Sequence, residues 1–314
     1  MKARRAFVAV LAAGLAAAAA WAGLYVMRRA QDGDTQAQAP AAPRTALRVP
    51  EGAAIFDTPH FRLHSTATRE ETARVAAAVE ALYTAHGRVF PEVASQPAKP
   101  SRMTLVLYGS RDAFKRDNRS RPWAEAYYLA PASYAYYARD AGNPLHWMLH
   151  EVTHQLNTEA AGFRLPRWAS EGVACYFGAS RYEDGALIPG RIDITAYPVW
   201  WLADLSLSGD LKADVDTGRF IPLRQLITGQ GGPDFDRHFN AYYVHYWSLS
   251  HFLFHHRGGQ YAAAYRELLR RGGSLEDFEA LIGPVERVQA EWYAYLYDGA
   301  TRLRALETGE APLG

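Results

Sequence analysis

A chain of 314 residues with 49% apolar and 21% charged side chains can bury a substantial core, so a generally disordered protein is excluded. The net charge is +1, and no basic stripe interleaves with aromatic residues, which argues against nucleic acid as a partner. The lone cysteine, Cys175, rules out an intrachain disulfide and reads as a small buried hydrophobe.

At the N-terminus, Lys2, Arg4 and Arg5 precede an uncharged run from Ala6 to Met27, which Arg28 and Arg29 close. A basic stretch followed by an apolar one is the pattern of an export signal. As a helix this run would be about 33 Å long, enough to span a bilayer. Residues 1–29 are therefore expected to be a membrane anchor. The alternative is a cleaved signal, with Ala20-Trp21-Ala22 as its processing site. The leading positive charges predict that the remainder lies outside the cytoplasm, in a periplasm or extracellular space. Residues 30–52, polar and rich in Ala and Pro, read as a flexible linker.

A single α+β domain is expected over 53–300, with a tail at 301–314. "HFRLHST" (60–66) alternates as a strand, and Val75, Val79 and Leu82 mark an amphipathic helix ending near Gly87. "RMTLVLYGS" (102–110) is β-rich, "RDAFKRD" helical, and "AEAYYLAPASYAYYARD" (124–140) a hairpin or a pair of edge strands. That order predicts a mixed sheet with helices packed on it. From Leu145 to Leu296 nearly everything reads as helix and loop. The domain thus divides into an α+β lobe (53–157) and a helical lobe (158–300).

At the junction stands "HWMLHEVTHQLN" (146–157), in which His150-Glu151-Val152-Thr153-His154 is H-E-x-x-H. Residues four apart share a helix face one turn apart, so both imidazoles can reach one zinc ion at about 2.0–2.1 Å. Glu151, about 100° round the helix, sits beside such an ion without ligating it. From there it can take a proton from an attacking water and deliver it to a leaving group. A hydrolytic zinc needs a third protein ligand and an open position. Glu171, seventeen residues after His154 in "LPRWASEGVACYF", is the expected third ligand. Pro166 is expected to open its helix, and Gly172 to let that helix pack close enough to the first for the carboxylate to reach. His146 shares the face of His150 and His154, but three ligands from one straight helix cannot surround a tetrahedral ion. It is read as a residue beside the ligands or lining the cleft. His251 and His255 lack an adjacent acid and are read as packing or surface residues. Cys175 could face the site, but it would compete with Glu171 for one coordination position and is read as a buried spectator.

H-E-x-x-H followed at this distance by W-x-x-E-G-x-A-x-Y-F resembles the gluzincin clan of zinc peptidases, and most of all the bacterial peptidase-MA-like proteins. The likeness runs through most of 58–297, including "YVHYWSLSHFL" and "FEALIGPVERVQAEWYAYL". It implies a zincin fold, with His150, His154 and Glu171 as Zn2+ ligands and Glu151 as base. The chain lacks the G-x-M-E-N segment of the aminopeptidase branch, which argues against aminopeptidase activity. Thermolysin-like members carry an Asp four residues after the ligand Glu. Cys175 stands there in this chain, so an imidazole's outer partner must come from elsewhere. Gluzincins often use a tyrosine as oxyanion donor. Tyr243, which opens a Y-x-x-x-W pattern, is the candidate, with Tyr242, Tyr246 and His245 as fallbacks and a core tyrosine as the plain alternative. Zincins usually bind peptide as an added strand along a sheet edge. Tyr134 and Tyr136 of the hairpin would then line substrate subsites, or would simply cover the sheet. The resulting expectation is a membrane-anchored zinc metallopeptidase acting on peptide or protein substrates. The alternatives are a zinc-binding but non-catalytic peptide- or cell-wall-binding module, and a scaffold without metal.

Overall fold

The computed structural model describes residues 46–94, 102–122 and 124–308. The expected anchor at 1–29, most of the linker and residues 309–314 lie outside them. Among the described residues, no helix is long and apolar enough to cross a membrane.

The fold is α+β. A five-stranded mixed sheet has the order β1 (Ala54–Asp57), β2 (Phe61–Ser65), β3 (Met103–Tyr108), β5 (Ala132–Tyr136), β4 (Ala126–Leu129). The three central strands run parallel, and both edge strands are antiparallel to their neighbours. The parallel strands are joined through helix α1 (Arg69–Val89) and then, after the single turn α2 (Pro91–Ala94), through α3 (Arg111–Asp117). Thr68 caps α1 in a reciprocal capping box with Glu71. The helix runs two residues past its expected end at Gly87, because the buried side chains of His86 and Phe90 hold its last turn against the core.

Side-chain alternation gives the sheet two apolar faces. Leu63, Leu105, Leu107 and Ala135 point to the face that α1 covers. Val106, Tyr108, Tyr134 and Tyr136 point to the other, where Phe114 of α3 completes a second, smaller core. The segment before β1 is tied to that second face, since the Arg48 amide donates to the Tyr134 hydroxyl at 3.3 Å. Part of the expected linker therefore lies against the domain.

On the first face lies α4 (His146–Gln155), which ends in a π turn (Leu156–Ala160) and is followed by α5 (Arg167–Gly178). Beyond α5 come α6 (Leu211–Asp216), α7 (Leu223–Thr228), α8 (Phe239–His255), α9 (Ala262–Arg270), α10 (Leu275–Leu281) and α11 (Val285–Thr308). One continuous core runs from α1 through α4, α5 and α8 to α11, so the two expected lobes share their interior. α11 passes the expected boundary at residue 300, with Leu303 still buried.

The helical lobe also holds a hairpin where helix or loop is expected from the sequence. Strands β6 (Ser180–Glu183) and β7 (Ala186–Ile192) flank Asp184-Gly185, both at positive φ. Asp-Gly at two left-handed positions is a strong hairpin signal. Both strands are half exposed, which weakens the apolar alternation that would have revealed them.

Candidate metal centre

Helix α4, which carries His150-Glu151-Val152-Thr153-His154, is held at the sheet by polar contacts as well as by Met148, Leu149 and Val152 in the core. Ser133 on β5 sends its hydroxyl toward the Glu151 carbonyl (3.2 Å) and the Gln155 side-chain oxygen (2.9 Å). The Gln155 amide in turn meets the Pro131 carbonyl in the β4–β5 turn and the carboxylate of Glu159. Tyr128 on the edge strand donates to that same carboxylate at 3.0 Å. At the far end, the Asn157 side-chain oxygen lies 2.9 Å from His86 Nε2 on α1. Pro144 precedes this helix, whose first residue is His146.

Pro166 is the N-cap of α5, as its position suggests. Trp168 fixes that helix: its indole N–H donates to the Gly273 carbonyl, and its ring packs against Tyr265 and Phe278. Gly172 does not make the close approach to α4 expected of it. An added Cβ there would meet Ser250 Oγ and, at 2.8 Å, the Tyr246 carbonyl, so Gly172 admits α8 and not α4. The close approach to α4 is made by Gly178, where a Cβ would lie 3.3 Å from that of His150 and 3.4 Å from the His146 carbonyl. The two glycines lie six residues apart, about 120° from each other round the helix axis. α5 thus packs closely against α8 and α4 on two different faces.

Between α4 and α5 three donor atoms converge. His150 Nε2 and His154 Nε2 are 3.1 Å apart, and Glu171 Oε2 lies 3.3 Å and 3.6 Å from them. Ligand atoms at about 2.0–2.1 Å from a tetrahedral ion stand about 3.3 Å from one another, a value these separations bracket. Three electron-rich atoms packed this closely, with His150 and Glu171 buried, fit a cation at their centre. This buried His-His-Glu group could hold a metal ion, and among the described residues it is the only cluster of its kind.

The outer ring nitrogens are also engaged. His154 Nδ1 lies 3.2 Å from Ser170 Oγ, and His150 Nδ1 lies 3.8 Å from Cys175 Sγ. Cys175 is expected to be a buried spectator, with the outer partner coming from elsewhere; instead its sulfur stands beside His150. The positions of Ser170 and Cys175, one residue before and one turn after Glu171, are the signal that could have found them. Burial pushes the Cys175 thiol well up, and the nearby carboxylates of Glu171 and then Glu151 push it further, so it is a neutral thiol. Glu151 itself is buried, only 7% exposed, and follows the ligand candidate His150 directly on α4.

Other expected site residues are placed less directly. Tyr134 and Tyr136 lie on the sheet face away from α4: Ser133 points to the helix, so its neighbours point to the second core. There Tyr134 stacks on Tyr127, and the Tyr136 hydroxyl donates to Glu125 at 2.9 Å. The structure does not bring these two tyrosines to the metal group, and alternation along β5 is the reason. Tyr243 is buried among Phe239, Tyr197 and Tyr246. Of its fallbacks, Tyr242 donates to the Pro233 carbonyl, and His245 spends both ring nitrogens on the Ala241 carbonyl and the Ile221 amide. The Tyr246 phenol is pushed up by burial first; Arg167 pulls against that shift and the Glu171 charge adds to it, and its ring packs against Tyr242 and Tyr243. His146 stands outside the cluster, its Nδ1–H donating to the Asn143 carbonyl and its ring set against Trp147 and Trp200. His251 pairs with Tyr295 and the Gly190 carbonyl, and His255 with Tyr176.

Compared with protein-family models and with curated proteins, the chain matches none.

Proposed function

We propose that this chain is a zinc-dependent metallopeptidase of gluzincin type on a zincin-like fold. The observation that carries the reading is the triangle of His150 Nε2, His154 Nε2 and Glu171 Oε2 with Glu151 next to it in the chain. Two imidazoles and one carboxylate are the donor set of a hydrolytic zinc, which keeps a position open for water or substrate. When bound, such an ion polarises the scissile carbonyl and acidifies water. Glu151 accepts the proton of the attacking water and returns it to the leaving amine. The edge strand β4, whose hairpin is anchored to α4 through Ser133, offers backbone groups along which an extended peptide can align. The basic and apolar N-terminal run supports attachment to a membrane, with the domain outside the cytoplasm.

Metal content tests the reading first. The purified chain should carry about one zinc, and His154→Ala should lose it. No metal in either, after zinc is supplied, would sink the proposal. Cleavage of a mixed peptide library then follows: zinc without turnover under any condition would assign the chain to the non-catalytic, peptide-binding alternative.

A further inference from the structure

We infer that Ser170 and Cys175 are positioning residues for the two metal-ligating imidazoles, each accepting the Nδ1–H of one ring so that both Nε2 lone pairs face Glu171. The inference rests on the metal-binding reading above and assigns it two further residues.

A neutral imidazole has one N–H and one lone pair, and only the lone pair can ligate. In this structure both Nε2 atoms face inward, 3.1 Å apart and close to the Glu171 carboxylate. Three acceptors can share one cation only if neither ring turns an Nε2–H toward the other. The proton of each ring must therefore sit on Nδ1, and each Nδ1–H needs an acceptor, since a buried donor left without a partner is destabilising. His154 Nδ1 finds Ser170 Oγ at 3.2 Å, and His150 Nδ1 finds Cys175 Sγ at 3.8 Å, within reach of sulfur. Both acceptors come from α5, the helix that also carries Glu171. One helix thus supplies the third ligand and orients the other two. Residues 170, 171 and 175 lie at i, i+1 and i+5, within about 140° of arc, so a single face of α5 does this work. Gly178 on the same helix lets α4 come near enough for it.

The thiol is the informative member, because it fills space and accepts a hydrogen bond, and the two roles can be separated. Cys175→Val fills the apolar space and removes the acceptor, at the cost of one extra methyl group, whereas Cys175→Ser keeps an acceptor and loses volume. Zinc affinity of the full chain is read by competition with a chromogenic chelator, beside melting temperature in excess chelator. Outer partners of metal-bound imidazoles are worth roughly 10–100-fold in affinity. Cys175→Val and Ser170→Ala should each weaken zinc by about that factor, and Cys175→Ser should stay within a few-fold of the parent. If Cys175→Val binds as the parent does while Cys175→Ser weakens, the thiol only packs and the inference falls. Parent-like affinity in all three variants overturns it as well, with the metal reading intact. A parent chain that binds no zinc overturns both.

Discussion

Replacing Gly172 by alanine tests the helix arrangement that carries Glu171. A Cβ at that position would stand 2.8 Å from the Tyr246 carbonyl, a backbone atom that cannot swing aside. Restoring ordinary contact requires α5 and α8 to part by about 0.6 Å. Overpacking of this kind costs about 1–3 kcal/mol, against about 1 kcal/mol gained from helix propensity. A net loss of roughly 1 kcal/mol lowers the melting temperature by about 2–4 °C in a domain of this size. Gly299 on α11 is the control: nothing lies within 4 Å of its added Cβ, so Gly299→Ala should raise stability by up to about 1 kcal/mol. Thermal melts of both variants in excess chelator remove any contribution from metal. Zinc affinity is the second readout, because coordination tolerates displacements of only about 0.2 Å and Glu171 is the adjacent residue. Should Gly172→Ala melt at or above the parent, as is expected of Gly299→Ala, the close α5–α8 packing would be refuted.

Two further expectations concern chemistry and pH. Glu151→Gln should keep its zinc and lose at least about 100-fold in peptide turnover, measured on whichever library peptide the parent cleaves; undiminished turnover would remove Glu151 from the base role. Burial pushes the imidazoles of His86, His245 and His251 down to about 4, whereas in the unfolded chain they titrate near 6.5. Between those values the unfolded chain binds protons that the folded chain refuses. This contribution is therefore fully present above about pH 6.5 and is lost as the pH falls toward 4. Urea midpoints in excess chelator should decline steadily from about pH 7 to pH 5, and a flat profile would show that these rings are solvated.

Much of the metal group was legible in the sequence because its geometry is local. Helical spacing alone puts His150 and His154 on one face, and Pro166 marks where the next helix begins. Tertiary facing was not legible. A glycine in a helix announces close approach but not to which neighbour, and Gly172 turned out to admit α8 while Gly178 admits α4. Which face the tyrosines of β5 take was not legible for a related reason. Tyr134 and Tyr136 alternate with Ser133 and Ala135 as any strand would, but the face that receives α4 depends on where the whole sheet packs. The β6–β7 hairpin was marked by Asp184-Gly185 yet lacked a buried face strong enough to be read.

The ligand set spans only residues 150 to 171, across the short connection between α4 and α5. Closing so short a loop saves somewhat less chain entropy than a cross-link between distant segments, and it ties together only neighbouring helices. The long-range joins are made elsewhere, by Trp168 reaching Gly273 and by Phe90 packing on Phe254. A metal at this place is therefore a tenant of the architecture and not its keystone. The chain should fold first and load afterwards, and stripping the ion should leave the helices standing, ready to be refilled.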